Sequence, residues 1–287
     1  MAVFLSLAEA VAANIKDGDT VAFEGFTHLI PFAAVHETVR QQRRDLHLVR
    51  MTPDLIYDQL IGMGCVRKMT FSWGGNPGVG SIYRFRDAVM NGWPRPLELD
   101  EHSHAALANA YEAGAAGLPC AIFRGYRGAE LAAVNPSIKS ITCPFTGEKL
   151  AAIPSIRADC AVIHAQKADR KGNVLIEGIL GVQKEAVLGA KRAIATVEEV
   201  VEDFGPGSPN GVSPNACILP SWTLSAVVEV PGGAHPSYAH GYYTRDNAYY
   251  KAWDEISKER DVFLKWMEEN VLRQGPDVFK RHARKAA

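Results

Sequence analysis

Strand and helix alternate without a break over the first 72 residues, and that rhythm limits what this chain can fold into more than any other property. Leu5 to Ile15 carries apolar residues at helical spacing, with Ser6 placed as N-cap and Gly18 as a stop. Asp19 to Gly25 reads as a strand closed by a glycine turn, because Val21 and Phe23 fall on one face. Pro31 opens a helix to about Gln42. Leu46 to Met51 predicts a strand, Asp54 to Met63 a helix and Val66 to Trp73 a strand. Short links between unlike elements imply parallel βαβ units with helices on the faces of a sheet. The predicted fold class is α/β, an open, mostly parallel sheet flanked by helices.

Beyond Trp73 the pattern loosens. Gly74–Gly80 (GGNPGVG) is a loop, residues 81–91 a helix after Ser81, 96–103 a strand ending in polar residues, and His104 to Ala113 a helix closed by Gly114. Residues 117–157 hold scattered Gly and Pro and predict an irregular excursion, the kind of long loop that serves a site or a partner surface. Regularity returns with strands at Asp159–Gln166 and Asn173–Glu177, a helix at Gln183–Leu188 and a strand at Ala193–Val201. A Pro/Gly-rich loop at 204–215 precedes a short strand at Val227–Val230. Residues 244–272 predict one or two closing helices whose stripe of Tyr250, Trp253, Ile256, Phe263 and Trp266 marks a core face. A basic tail runs from 275 to 287. With no internal repeat, a single domain over 1–287 is the simplest reading.

Charge and cysteine content exclude several function classes. Lys+Arg number 31 against 32 Asp+Glu, so no basic footprint offers itself to nucleic acid or an anionic membrane. No apolar run approaches the roughly 20 residues of a membrane span, and Glu9 interrupts what would be the core of a signal peptide. Five cysteines at 65, 120, 143, 160 and 217 are odd in number and never spaced C-x-x-C. They predict reduced thiols in a cytoplasmic protein and no metal site.

Three clusters could carry chemistry. Gly74, Gly75, Asn76, Gly78 and Gly80 follow a strand and precede a helix, where open α/β sheets bind ligands, yet the loop is neither a Walker sequence nor G-x-G-x-x-G. Its amides could approach a carbonyl or phosphate; it could equally be a plain tight turn. Asp100-Glu101-His102-Ser103-His104 lies at a predicted strand end, where a carboxylate flanked by imidazoles could act as general base or nucleophile. The same residues also fit a helix N-cap with favourable acids. Arg124 and Arg127, set among glycines, could fork onto a carboxylate or phosphate, or be exposed loop arginines.

The stretch ADCAVIHAQKADRKGNVLIEG (158–178), followed by EAVLGAKRAIATVEEVV (185–201), resembles the alpha subunit of class I CoA transferases of the glutaconate type. Its most specific part is the run His164-x-Gln166-x-x-Asp169-x-x-Gly172-Asn173, and the likeness continues through DGDTVAFEGF (17–26), the glycine loop and the final helices. The resemblance implies an open α/β sheet and a partner beta subunit, with α2β2 stoichiometry. In true transferases of this kind the acyl-accepting glutamate belongs to the beta chain. Glu101 within LELDEHSH, together with FEGFTHLIPFAAVHE, looks similar to one branch, the alpha subunit of the hydrolase that opens the last ring in bacterial cholesterol breakdown. That likeness implies retro-Claisen cleavage of a cyclic β-diketone CoA thioester by water, with Glu101 as base. Backbone amides of Gly25-Phe26 or of the Gly74-Gly75-Asn76 loop would hold the oxyanion, and His102, Arg124 and Arg127 would contact substrate or CoA. No resident cofactor is implied, CoA being part of the substrate. The alternative is a transferase acting on a dicarboxylic acid. A third reading is a non-catalytic chain that binds CoA esters.

Overall fold

The computed structural model describes residues 2–213 and 216–283, so Arg284 and Lys285 of the predicted tail and the last two residues of the 204–215 loop lie outside the described residues. From the amino end run β1 (Val3–Phe4), α1 (Leu7–Asn14), β2 (Thr20–Glu24), α2 (Phe32–Arg40), β3 (Leu46–Val49) and α3 (Leu55–Gly62). They continue as β4 (Val66–Phe71), α4 (Tyr83–Asn91), β5 (Glu98–Glu101) and α5 (His104–Ala115). Next come β6 (Cys120–Phe123), α6 (Leu131–Val134), β7 (Lys139–Thr142) and β8 (Lys149–Pro154). The second half holds β9 (Cys160–Asp169), β10 (Val174–Ile176), α7 (Gln183–Gly189), β11 (Arg192–Val201), β12 (Cys217–Leu219) and β13 (Ala226–Glu229). Two helices close it, α8 (Asn247–Lys258) and α9 (Arg260–Met267).

The main sheet has the order β1-β13-β11-β9-β2-β3-β4-β5, parallel at each of these pairings, with β10 and β12 added antiparallel beyond β9. The mostly parallel sheet read from the alternation is therefore present. β9 is buried along nearly all its length, as a strand covered on both faces must be. Alternation along β2 divides the two cores: Val21 and Phe23 join α1, α2, α3, α8 and α9, whereas Ala22 faces Tyr111 of α5 and the apolar residues of α7. The predicted stripe on the closing helices is core, with Tyr250, Trp253 and Phe263 buried and Ile256 and Trp266 packed against them. Ser6 caps α1 in a reciprocal box with Glu9, and Asp54 caps α3.

Two expectations need correction. Residues 117–157 are not an irregular excursion: β6, β8 and β7 form an antiparallel three-stranded sheet whose own small core includes Ala106, Ala110, Ala121 and Ile153. Composition concealed it because the strands are only four to six residues long and mix apolar residues with lysine, serine, threonine and alanine, so that no long apolar run marks them. Gly114 does not end α5. It lies within the helix, where a Cβ would stand 1.9 Å from the Ile156 carbonyl oxygen, so glycine is what lets the chain leaving β8 press onto the helix.

Chain order reverses at β2: successive strands run outward one way to β5, and β9, β11 and β13 run outward the other way. In open α/β sheets the crevice at such a switch point, beyond the carboxyl ends of the strands, is where ligands bind.

Candidate active site

A cavity of about 300 Å³ opens at that switch point, at the lower end of the size range of small-molecule sites. Phe26 and Thr27 reach it from the end of β2, Arg50 and Thr52 from the end of β3, and Trp73 from the end of β4. Tyr238, Arg245 and Tyr250 close it from the segment before α8 and from α8 itself. The turn after β2 is forced. A Cβ on Gly25 would lie 2.4 Å from the Leu29 carbonyl oxygen, and Thr27 and Leu29 both take left-handed backbone, with φ of 64° and 52°. Strain of that kind, about 1 kcal/mol or more per residue, persists where the surroundings over-determine it and clusters at functional sites. Here the Leu29 amide donates to the Tyr238 carbonyl at 2.9 Å and the Ile30 amide to the Ser237 hydroxyl at 3.1 Å, which pins the turn under the closing segment.

Arg50 is the electrostatic centre. It is 1% exposed, yet its guanidinium donates to both Asp54 oxygens, at 3.0 and 3.3 Å, and to the Gly25 carbonyl at 2.5 Å. Glu24, beside it at the end of β2, accepts the Tyr111 hydroxyl at 2.5 Å. Burial pushes the Glu24 carboxyl up to about 7, against the attraction of Arg50. Burial likewise raises Asp54, with Arg50 opposing. Arg50 thus holds Asp54 at the floor of the cavity and attracts Glu24 behind it, whose own direct bond is to Tyr111. Above that floor the walls are aromatic, so the site can take an acyl chain and hold a negative group near a cation in a medium of low dielectric.

The residues singled out from sequence divide among three places. Phe26 lines the cavity and Gly25 supplies the carbonyl that receives Arg50. Gly74 follows the lining residue Trp73, but the amides of Gly75 and Asn76 donate to Pro53 and Gly80, and the Asn76 side chain donates to the Tyr250 carbonyl at 2.7 Å. Those two amides are engaged within the fold, and the Asn76 side chain braces the loop against α8. Glu101 ends the edge strand β5, exposed, beside a separate depression bounded by Lys68, Asp100 and Asn135. His102 is buried, its Nε2 3.0 Å from Asp100 and its Nδ1 3.3 Å from the Tyr126 hydroxyl. The hydrogen bonds from His102 and Asn135 hold the Asp100 carboxyl well below the usual range against its partial burial. Arg124 and Arg127 share Glu148 at 3.0 and 2.9 Å on the small sheet, with side chains 75% and 71% exposed.

The run that carries the family resemblance is structural. Asp169 receives the Lys171 and Asn173 amides and the Asn173 side chain, which fixes the hairpin from β9 to β10. His164 sits 2.7 Å from Glu198, a buried carboxylate that also accepts the Tyr243 hydroxyl at 2.6 Å and the Gly232 amide at 2.7 Å. Sequence reading passed over Arg50, Asp54, Tyr238 and Arg245. Arg50 left one trace, a charge ending the apolar strand LHLVR with an acid four residues on; Arg245 left none, because its place depends on how the closing segment folds back.

A larger open groove of about 640 Å³ lies between α4 and the junction of α8 and α9. At its centre Asp87 holds both Arg84 and Arg260, and the groove is lined by helix residues and meets no strand end. Among the described residues, no group of three or more His, Cys, Asp or Glu is placed to hold a metal ion, and no helix is long and apolar enough to cross a membrane.

Residues 4–230 match a family model described as coenzyme A transferase. The alpha-type chain of 3-oxoadipate CoA-transferase from Pseudomonas knackmussii is 65% identical over 271 residues, 94% of each chain. The corresponding chain of glutaconate CoA-transferase from Acidaminococcus fermentans is 31% identical over 95% of this chain and 88% of its own. A crystal structure of that organism's glutaconate coenzyme A-transferase superposes with a TM-score of 0.90 at 30% identity, covering 98% and 93% of the two chains. The cholesterol ring-cleaving hydrolase IpdA subunit of Mycobacterium tuberculosis is 27% identical over 88% of this chain and 87% of its own.

Proposed function

The chain belongs to the coenzyme A transferase family, and from that premise we propose that it is the alpha chain of a two-subunit enzyme that moves CoA onto 3-oxoadipate or a closely similar dicarboxylic 3-oxo acid. One observation carries the reading: 65% identity, over 94% of both chains, to an alpha-type chain that bears this activity in its name. In the reaction the donor thioester loses CoA and gains a carboxylate oxygen, while the acceptor carboxylate loses that oxygen and gains CoA. No water is consumed.

In this reading the nucleophilic glutamate comes from the beta chain, the two assembling as α2β2 in the cytoplasm, with CoA entering as part of the substrate and no resident cofactor. This chain contributes the strand-end cavity, with Arg50 as its fixed charge. The steroid-ring hydrolase expected from the sequence takes second place, because relatives of that kind are 27% identical against 65%. Glu101 and the depression beside it belong to that second reading.

The test uses this chain co-produced with its beta partner, supplied with succinyl-CoA and 3-oxoadipate. Appearance of 3-oxoadipyl-CoA and succinate in equal amounts supports transfer, and hydroxylamine or borohydride trapping should mark a glutamate of the beta chain. Opening of the ring of a cyclic β-diketone thioester by water, seen as a new carboxylate on a product that keeps its CoA, with no acyl exchange, would overturn the reading in favour of the hydrolase. Turnover of either kind removes the non-catalytic alternative.

A further inference from the structure

We propose that Arg245 selects a dicarboxylic acyl group, by pairing its guanidinium with the carboxylate remote from the reacting carbonyl. The inference rests on the transferase reading and names the residue that decides its substrate class. Two guanidiniums line the cavity, against a single carboxylate, that of Asp54. Arg50 is committed to Asp54 and the Gly25 carbonyl. Arg245 is not so committed. It donates to the Pro77 carbonyl at 2.8 Å and lies 4.0 Å over the Tyr250 ring, and among the described residues it forms no ion pair with a carboxylate.

Arg245 is partly buried and its charge is met only at longer range by Asp54, which Arg50 already holds, so an anionic ligand group would give it a direct partner. The geometry suits a fork. One N–H is tied to Pro77 and the ring of Tyr250 holds the guanidinium plane, so the head is positioned in advance and loses little freedom on binding. Position fits as well. Arg245 and Tyr250 reach the cavity from the closing segment, while Phe26, Thr27, Arg50 and Thr52 reach it from the strand ends. An acyl chain entering between Phe26, Trp73 and Tyr238 meets the strand ends and Arg245 at different walls, as a molecule with a polar group at each end requires.

The experiment compares 3-oxoadipate with 3-oxohexanoate, which carries a methyl in place of the remote carboxylate, as acceptors for the assembled enzyme with succinyl-CoA as donor. In a two-step exchange kcat/KM for an acceptor reports only its own half-reaction, so the ratio between acceptors is independent of the donor. R245M should lower kcat/KM for 3-oxoadipate by about 10- to 100-fold, mainly through KM, the range for losing a charged hydrogen-bond partner. The value for 3-oxohexanoate should move less than about threefold, and R245K should recover part of the preference. Parallel loss on both acceptors would mean that Arg245 only braces the Pro77 loop, and no change on either would overturn the proposal outright. Calorimetric titration with adipate and hexanoate reads the same contact without turnover. Loss of the preference for adipate in R245M supports the assignment even if transfer fails, and equal affinity of the native enzyme for both ligands refutes it.

Discussion

Replacing Glu24 by Gln should make the protein more stable, by an amount that grows as pH rises from about 4.5 to about 7 and is constant above that. Glu24 is 3% exposed and hydrogen-bonded to Tyr111, and burial raises its carboxyl from 4.5 to about 7. A raised folded-state pKa means that the folded chain binds this proton more tightly than the unfolded one. The resulting stability is complete below about pH 4.5 and is lost as pH rises through about 7. The shift corresponds to about 3 kcal/mol, net of the attraction to Arg50. Glutamine keeps the shape, can still accept the Tyr111 hydroxyl and never ionises. Urea unfolding followed by tryptophan fluorescence should therefore give coincident midpoints for native protein and E24Q near pH 4. By pH 8.5 E24Q should lead by as much as about 3 kcal/mol, or roughly 1 M in midpoint for a chain of this size. Part of the pH slope should survive in E24Q, because burial also raises Asp58 to about 7. A gap that is the same at pH 4 and pH 8.5, or a native protein more stable than E24Q at pH 8.5, would refute the account of the Arg50 cluster.

Gly114→Ala should lower the unfolding midpoint sharply, by about 3 kcal/mol or more, since the new methyl meets the Ile156 carbonyl and backbone cannot step aside as a side chain can. Tyr243→Phe removes one of three hydrogen bonds to the buried Glu198 carboxylate and should cost about 1.5–3 kcal/mol in chemical denaturation. Arg127→Ala should shift stability by less than about 1 kcal/mol, as its partner is a surface acid also held by Arg124. Glu101→Ala should leave folding and assembly intact and CoA transfer within about threefold; if steady-state rates instead drop by about tenfold or more, Glu101 acts as an acid–base group and the hydrolase reading gains.

The main sheet was legible because its strands are buried on both faces and leave unbroken apolar runs such as CAVIHA, while its helices carry apolar stripes and caps. The small sheet was not, because Lys139, Lys149 and Thr142 lie on short strands of which only one face meets a core. The site was half legible. Gly25 and Phe26 announce themselves as a glycine turn at a strand end, a local property. Arg50, Arg245 and Tyr238 converge only through tertiary folding, from positions up to 195 residues apart, and no spacing rule links them. The conspicuous clusters misdirect for a related reason: hydrogen-bonded networks such as Asp100–His102–Tyr126 and His164–Glu198–Tyr243 use the same residue types as catalysis does.

The reversal of strand order at β2 also sets a timetable for synthesis. β2 to β5 are complete once Glu101 has left the ribosome, but β9, the strand that covers the other edge of β2, begins only at Cys160. About 60 residues separate the two, or ~3–12 seconds of translation at usual rates. Throughout that interval the nascent half-sheet presents the backbone of Val21 to Glu24 as an open edge, flanked by apolar residues that have not yet met their cover. The central strand of the finished sheet is thus an open edge of the growing chain until β9 has been made.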